Sequence, residues 1–194
     1  IQDDELYLEC FRTYNDALWE WCQEGDPDRL IPAAIMPAIG VETAMQELER
    51  VANMGYKTYF FNQWPSGNQY PTAADDPFWA LCEQTGVVVS MHGAGMGRVQ
   101  IGVGAMEGKK MPKGSTVKRM SQEHVNDNRA SGLHVALPVS MLTLTGVFDR
   151  FPDLKIAIVE TGAGWLPFYA EQLDRTYTHQ RWAGGRELDR MPSE

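Results

Sequence analysis

The sequence predicts an α/β fold built on a parallel sheet. Three observations predict it: short apolar runs alternate with amphipathic stretches, glycine or proline punctuates the junctions, and the apolar runs are continuous rather than alternating. Continuous runs suit strands covered on both faces, and strand–helix alternation gives parallel pairing through right-handed crossovers.

An opening helix is predicted over residues 6–22, where Tyr7, Phe11, Tyr14, Leu18 and Trp21 fall on one face. Gly25-Asp26-Pro27 stops it. Residues 30–36, bounded by Arg29 and Pro37, read as a buried strand. Val41, Met45, Leu48 and Val51 then line a helix that ends at Gly55. Residues 57–61 are β-rich. Asp76-Pro77 supplies an N-cap and a proline at the first helical position for a helix running to about Thr85, closed by Gly86. A strand follows at 87–91. Residues 133–151 resume as one mostly apolar helix, stopped by Pro152, and 155–159 form the last strand. Trp165, Tyr169, Leu173 and Tyr177, spaced i, i+4, line the closing helix.

These are about four βα units after an opening helix, in one domain over residues 1–194 with a long loop at about 93–130. Two architectures remain open: a doubly wound open sheet, or half of a (β/α)8 barrel, which in full takes roughly 250 residues. Half a barrel would leave two unpaired sheet edges.

Composition narrows the function classes. Lys and Arg number 17 against 26 Asp and Glu, for a net charge of −9, which excludes the basic surface that nucleic acid requires. The apolar stretches around 30–41 and 133–148 are broken by Pro32, Pro37 and Pro138 and fall short of a membrane span. The acidic opening, residues 1–5, does not read as a leader, and the start at Ile1 reads as a processed chain or a fragment. Cys10, Cys22 and Cys82 are odd in number and lack CxxC spacing, so a reducing cytoplasm is expected, without a disulfide framework or a thiolate zinc site.

In parallel α/β folds ligands bind at the carboxyl ends of the strands. The residues there are Asn62 and Trp64, then His92, then Glu160 with Trp165 beyond it. His92 ends a strand and is followed by glycines; imidazole serves as a metal ligand or a general base. Glu160 ends an apolar strand, where a buried carboxylate is costly unless paired, metal-bound or protonated. Trp64, Trp79 and Trp165 are core or pocket wall; Trp165 is placed to line a substrate pocket, Asn62 and Trp64 stand at the same rim, and core packing is the default reading of Trp64 and Trp79. The run Gly93-Ala94-Gly95-Met96-Gly97 fails the dinucleotide spacing because position 98 is Arg98. Arg98, Lys109, Lys110, Lys113, Lys118 and Arg119 give the long loop a basic excess; most of these charges read as a solvated surface, and their sum would attract an anionic substrate. His124, His134 and His179 have no partner at metal-binding spacing and read as structural or surface residues.

The segment LTGVFDRFPDLKIAIVETGAGWLPFYAEQLDR (144–175) resembles the amidohydrolase-related family that includes aminocarboxymuconate-semialdehyde decarboxylase. YNDALWEWCQEGDPDRLIPAAIMP, MQELERVANMGYKTYFF and DDPFWALCEQTGVVVSMHG extend the likeness over nearly the whole chain except 96–128. The resemblance implies part of a metal-dependent (β/α)8 TIM barrel, with the four strands here corresponding to the third to sixth. It implies that His92 is the metal ligand ending the fifth strand. Glu160 stands where the family's decarboxylases carry a catalytic histidine, a departure that shifts the expected chemistry toward hydrolysis. The family's HxH and its last-strand aspartate are not among these residues. The expected function is therefore that of a fragment of a metal-dependent hydrolase acting on a small organic acid, lactone or amide. The expected metal is divalent, with zinc first, and lowers the pKa of a bound water toward about 7. The alternative is a carboxy-lyase acting on an unsaturated or aromatic acid; a third reading is a non-catalytic binding or assembly domain. The expected partners are a small anionic substrate and, through the open edges, further copies of the chain.

Overall fold

A computed structural model of the chain describes residues 3–61, 63–68, 70–92, 133–183 and 187–194. Four strands form one sheet: β1 (Ala33–Ile35), β2 (Thr58–Phe61), β3 (Val88–His92) and β4 (Ile156–Val159). They lie in the order β1-β2-β3-β4, and each neighbouring pair is parallel. The order decides between the two architectures. A doubly wound sheet reverses direction at a switch point, whereas a barrel wall adds every strand on the same side of the last. This sheet is a stretch of barrel wall.

Around it run α1 (Asp4–Glu24), α2 (Val41–Met54), α3 (Asp76–Thr85), α4 (Leu133–Leu144), α5 (Val147–Arg150) and α6 (Leu166–Gln180). Asp3 caps α1 by accepting the Leu6 N–H at 3.1 Å. Gly55 ends α2 with φ 112, a conformation open to glycine, and a Cβ there would stand 2.8 Å from the Trp19 ring. One face of the sheet carries Ala34, Tyr59, Phe61, Val89 and Met91, all buried. They pack with Ala44, Leu48 and Val51 of α2 and with Phe78, Trp79 and Cys82 of α3. Edge-to-face contacts bind this core, Tyr59 to Phe78 and Phe78 to Trp79, each at 5.5 Å between centroids.

Three expectations need correction. The first strand is shorter than 30–36, and Ile31 is exposed. The single helix over 133–151 is two, broken where Gly146 takes φ 68. Arg150 closes the break by donating to the carbonyls of Thr145 (2.8 Å) and Gly146 (2.9 Å). Asp76 is not the N-cap of α3 but its first residue, and its carboxylate pairs with Arg150 at 2.8 Å. The capping falls one turn earlier, where Thr72 and Asp75 form a capping box on the 3₁₀ turn Ala73–Asp75.

The β1 edge is not open along its length. Asn15, buried on α1, donates from Nδ2 to the Ile35 carbonyl (2.9 Å) and accepts the Ile35 N–H at Oδ1 (2.8 Å). A side-chain amide thus takes the place of a neighbouring strand. Asn15 Nδ2 also reaches Glu47 Oε1 at 2.8 Å, and the Tyr56 hydroxyl donates to the Asn15 carbonyl.

Burial pushes the Tyr56 phenol up to about 12. The folded state then keeps a proton that the unfolded chain loses near pH 10. This contribution to stability is fully present below pH 10 and is lost as pH rises toward 12. Base unfolding followed by circular dichroism is expected to show that decline, and Tyr56→Phe is expected to make it shallower. An identical profile for the variant would refute the assignment.

Candidate functional site

The strand ends converge on one rim. His92 is the last residue of β3 and lies in register with Val159, the last residue of β4. Glu160 follows directly, so the two candidate residues occupy adjacent strand ends, and adjacent strands lie about 4.8 Å apart. The His92 imidazole and Asn62 lie outside the described residues, as do the glycine run from Gly93, the basic loop and His124.

Glu160 differs from its expected setting in one respect and gains a feature in another. Its side chain is exposed, so burial cost is no argument for its role. Its backbone takes φ 57, and among the described residues no other non-glycine residue has positive φ. A non-glycine residue in the left-handed region carries strain on the order of 1 kcal/mol or more, and such strain gathers at functional sites.

The aromatic candidates are largely sequestered. Trp64 is buried, edge-on to Phe61 at 4.9 Å and to Trp79 at 6.3 Å. Trp165 is 9% exposed and packs with Val135, Ala136, Ile158 and Tyr169 between α4, β4 and α6. Its indole N–H is buried and has no hydrogen-bond partner among the described residues. His134 lies in α4, with its side chain outside the description. His179 is exposed in the last turn of α6, beside a shallow hollow lined by Gln172, Arg175, Thr176 and Gln180.

All three cysteines are free; Cys82 is buried, and that burial holds its thiol well above the usual range. Among the described residues, no group of three or more His, Cys, Asp or Glu side chains is placed to hold a metal ion. A catalytic zinc normally takes three protein ligands, so the described residues do not form such a centre by themselves. Among them, no helix is long and apolar enough to cross a membrane.

Sequence reasoning missed two buried acids. Asp75 ties down the loop after β2, and the Thr72-x-x-Asp75 spacing was the available signal. Glu47 is fully buried in α2 and is bound bidentately by Arg50, at 2.9 and 2.7 Å. Nothing in its spacing marks it.

A parallel sheet in sequential order defines a barrel-type α/β protein. The chain belongs to the amidohydrolase family, whose sequence profile matches residues 3–193. It is 28% identical over 186 residues to Decarboxylase orsB of Emericella nidulans, covering 94% of this chain and 52% of that protein. It is 26% identical over 181 residues to the gamma-resorcylate decarboxylase of Rhizobium radiobacter, covering 90% and 50%. The chain thus spans about half the length of the curated relatives it matches. Its fold is shared by the crystal structure of 5-carboxyvanillate decarboxylase LigW from Sphingomonas paucimobilis, with TM-score 0.69, 21% identity, 98% of this chain and 52% of that one. It is shared too by the dihydroxybenzoic acid decarboxylase of Polaromonas sp. JS666, with bound manganese and 2-nitroresorcinol, at TM-score 0.60 and 23% identity, covering 100% and 54%. These likenesses establish part of a TIM barrel.

Proposed function

We propose that this chain carries part of the active site of a carboxy-lyase that removes CO₂ from a small anionic aromatic acid. The reading is supported above all by the decarboxylase relatives, which match over most of the chain. The adjacency of His92 and Glu160 at neighbouring strand ends is the structural observation that suits it.

When the carbon–carboxylate bond breaks, its electron pair stays on the ring carbon, and that carbon must take up a proton. Glu160 is the group proposed to deliver it from its carboxyl and to regain it from solvent, as a general acid does. Its exposure at the rim gives it access to both substrate and water. His92 is proposed as this chain's ligand to a divalent cation, in keeping with the manganese in the Polaromonas relative. Such an ion, when bound, would neutralise the charge of the acid; the described residues alone do not complete its coordination. Asn62, Trp64 and Trp165 are proposed to shape the substrate's surroundings.

Hydrolysis is the second reading, and one observation favours it. Position 160 is Glu where the resembled decarboxylases use histidine, and a carboxylate suits removal of a proton from water. The products separate the two. The intact protein that contains this chain, given gamma-resorcylate with manganese or zinc, is expected to release CO₂. A new carboxylate from a lactone or amide, without CO₂, would replace the first reading with the second. No turnover of either kind by the intact protein would overturn both in favour of a binding or assembly domain.

A further inference from the structure

The loop that follows β2 is held at its base by one buried carboxylate. Asp75 is 0% exposed; its Oδ1 accepts the Ser66 N–H at 2.7 Å and its Oδ2 accepts the Thr72 N–H at 2.9 Å. A buried carboxylate is tolerated only when its oxygens are satisfied, and here backbone amides from both ends of the loop satisfy them. A second tie holds the near end. Gly67, at φ 74, donates its N–H to the Trp64 carbonyl at 2.8 Å. A Cβ at Gly67 would come within 3.1 Å of the Ala38 carbonyl oxygen, so this turn is seated on the loop after β1.

What projects from the pinned loop is Tyr70, 56% exposed. Tyrosine offers a broad apolar face and a hydroxyl tip at the cost of only two torsions, which makes it an effective recognition residue on a fixed loop. The loop is rooted beside the candidate site: Phe61, at the end of β2, is in register with Met91, the residue before His92.

We infer that Tyr70 is a specificity-determining residue that stacks on the ring of the substrate acid, and that Asp75 is the positioning residue that holds it there. The inference rests on the carboxy-lyase reading and names the part of the chain that recognises the ring.

Steady-state kinetics on gamma-resorcylate test it in the intact protein that contains this chain, using the wild type, Tyr70→Ala, Tyr70→Phe, Asp75→Asn and the Asp75→Asn/Tyr70→Ala double variant. Loss of an aromatic contact is expected to raise KM about 3- to 10-fold in Tyr70→Ala, with kcat within about twofold. Tyr70→Phe keeps the ring and is expected to keep the wild-type KM. Asp75→Asn exchanges one acceptor oxygen for a donor, and its KM is expected to rise in the same way. The double variant is expected to be no worse than Tyr70→Ala, because Asp75 acts through Tyr70. Additive effects would overturn the positioning role, and an unchanged KM in Tyr70→Ala would overturn the whole inference. Should Asp75→Asn fail to fold, the two changes at the exposed Tyr70 still decide it. An inactive intact wild type overturns the carboxy-lyase reading and this inference with it. An active wild type indifferent to Tyr70→Ala overturns this inference alone.

Discussion

Glu160→Gln is expected to lower turnover of the aromatic acid at least about 10²-fold, the usual effect of losing a general acid or base. Glutamine has the same shape and tolerates the same backbone, but it cannot hold and release a proton. A companion change separates a strained functional residue from an ordinary turn. Glu160 adopts φ 57, where glycine is comfortable and glutamate is not. Glu160→Gly is therefore expected to stabilise the fold by about 1 kcal/mol while turnover is lost. Stability rising as activity falls is the trade-off expected where strain is retained for function. Denaturant unfolding alongside product assays checks both. Unchanged turnover in Glu160→Gln would remove this residue from the mechanism.

The parts legible in the sequence are those fixed by local chemistry. β2, β3 and β4 are apolar runs between breakers, and Gly55 and Gly86 end their helices in the left-handed conformation that glycine permits. Their alternation was enough to place His92 and Glu160 at neighbouring strand ends. What escaped depends on partners remote in the chain. A lone glycine in a helical pattern reads as tolerated, and only the structure shows that Gly146 breaks the helix. Asp75 and Asp76 are adjacent and chemically identical, yet one is buried under backbone amides and the other reaches Arg150 across the fold. Glu160 was rightly located at a strand end, but its exposure and its φ are properties of the turn that follows, which periodicity does not encode.

Glu47→Ala is expected to be strongly destabilising, costing about 3 kcal/mol. Glu47 is fully buried, and its oxygens take the Arg50 guanidinium and the Asn15 amide, with Arg12 Nε at 3.5 Å. Arg50 also pairs with Asp16, and these carboxylates raise its already high pKa further, the Glu47 hydrogen bond contributing most. Removing one member of a buried pair leaves the others desolvated without a partner, at a cost of about 3–5 kcal/mol. Arg50 is partly exposed and keeps Asp16, which places the expected value at the lower end. Against a total stability of about 5–15 kcal/mol that is a large fraction. The consequence extends beyond energy, because Glu47 fixes the amide of Asn15, and Asn15 occupies the hydrogen-bonding groups of Ile35 at the β1 edge. Released, that edge presents unpaired backbone groups to any other strand. Glu47→Ala is therefore expected to lower the unfolding midpoint and also to increase concentration-dependent association, read by denaturant titration and size-exclusion chromatography. Asn15→Leu is expected to reproduce the association with the ion pair intact. A Glu47→Ala protein as stable as the wild type would show that the network adds nothing net, and a monomeric Asn15→Leu would show that α1 does not guard the edge.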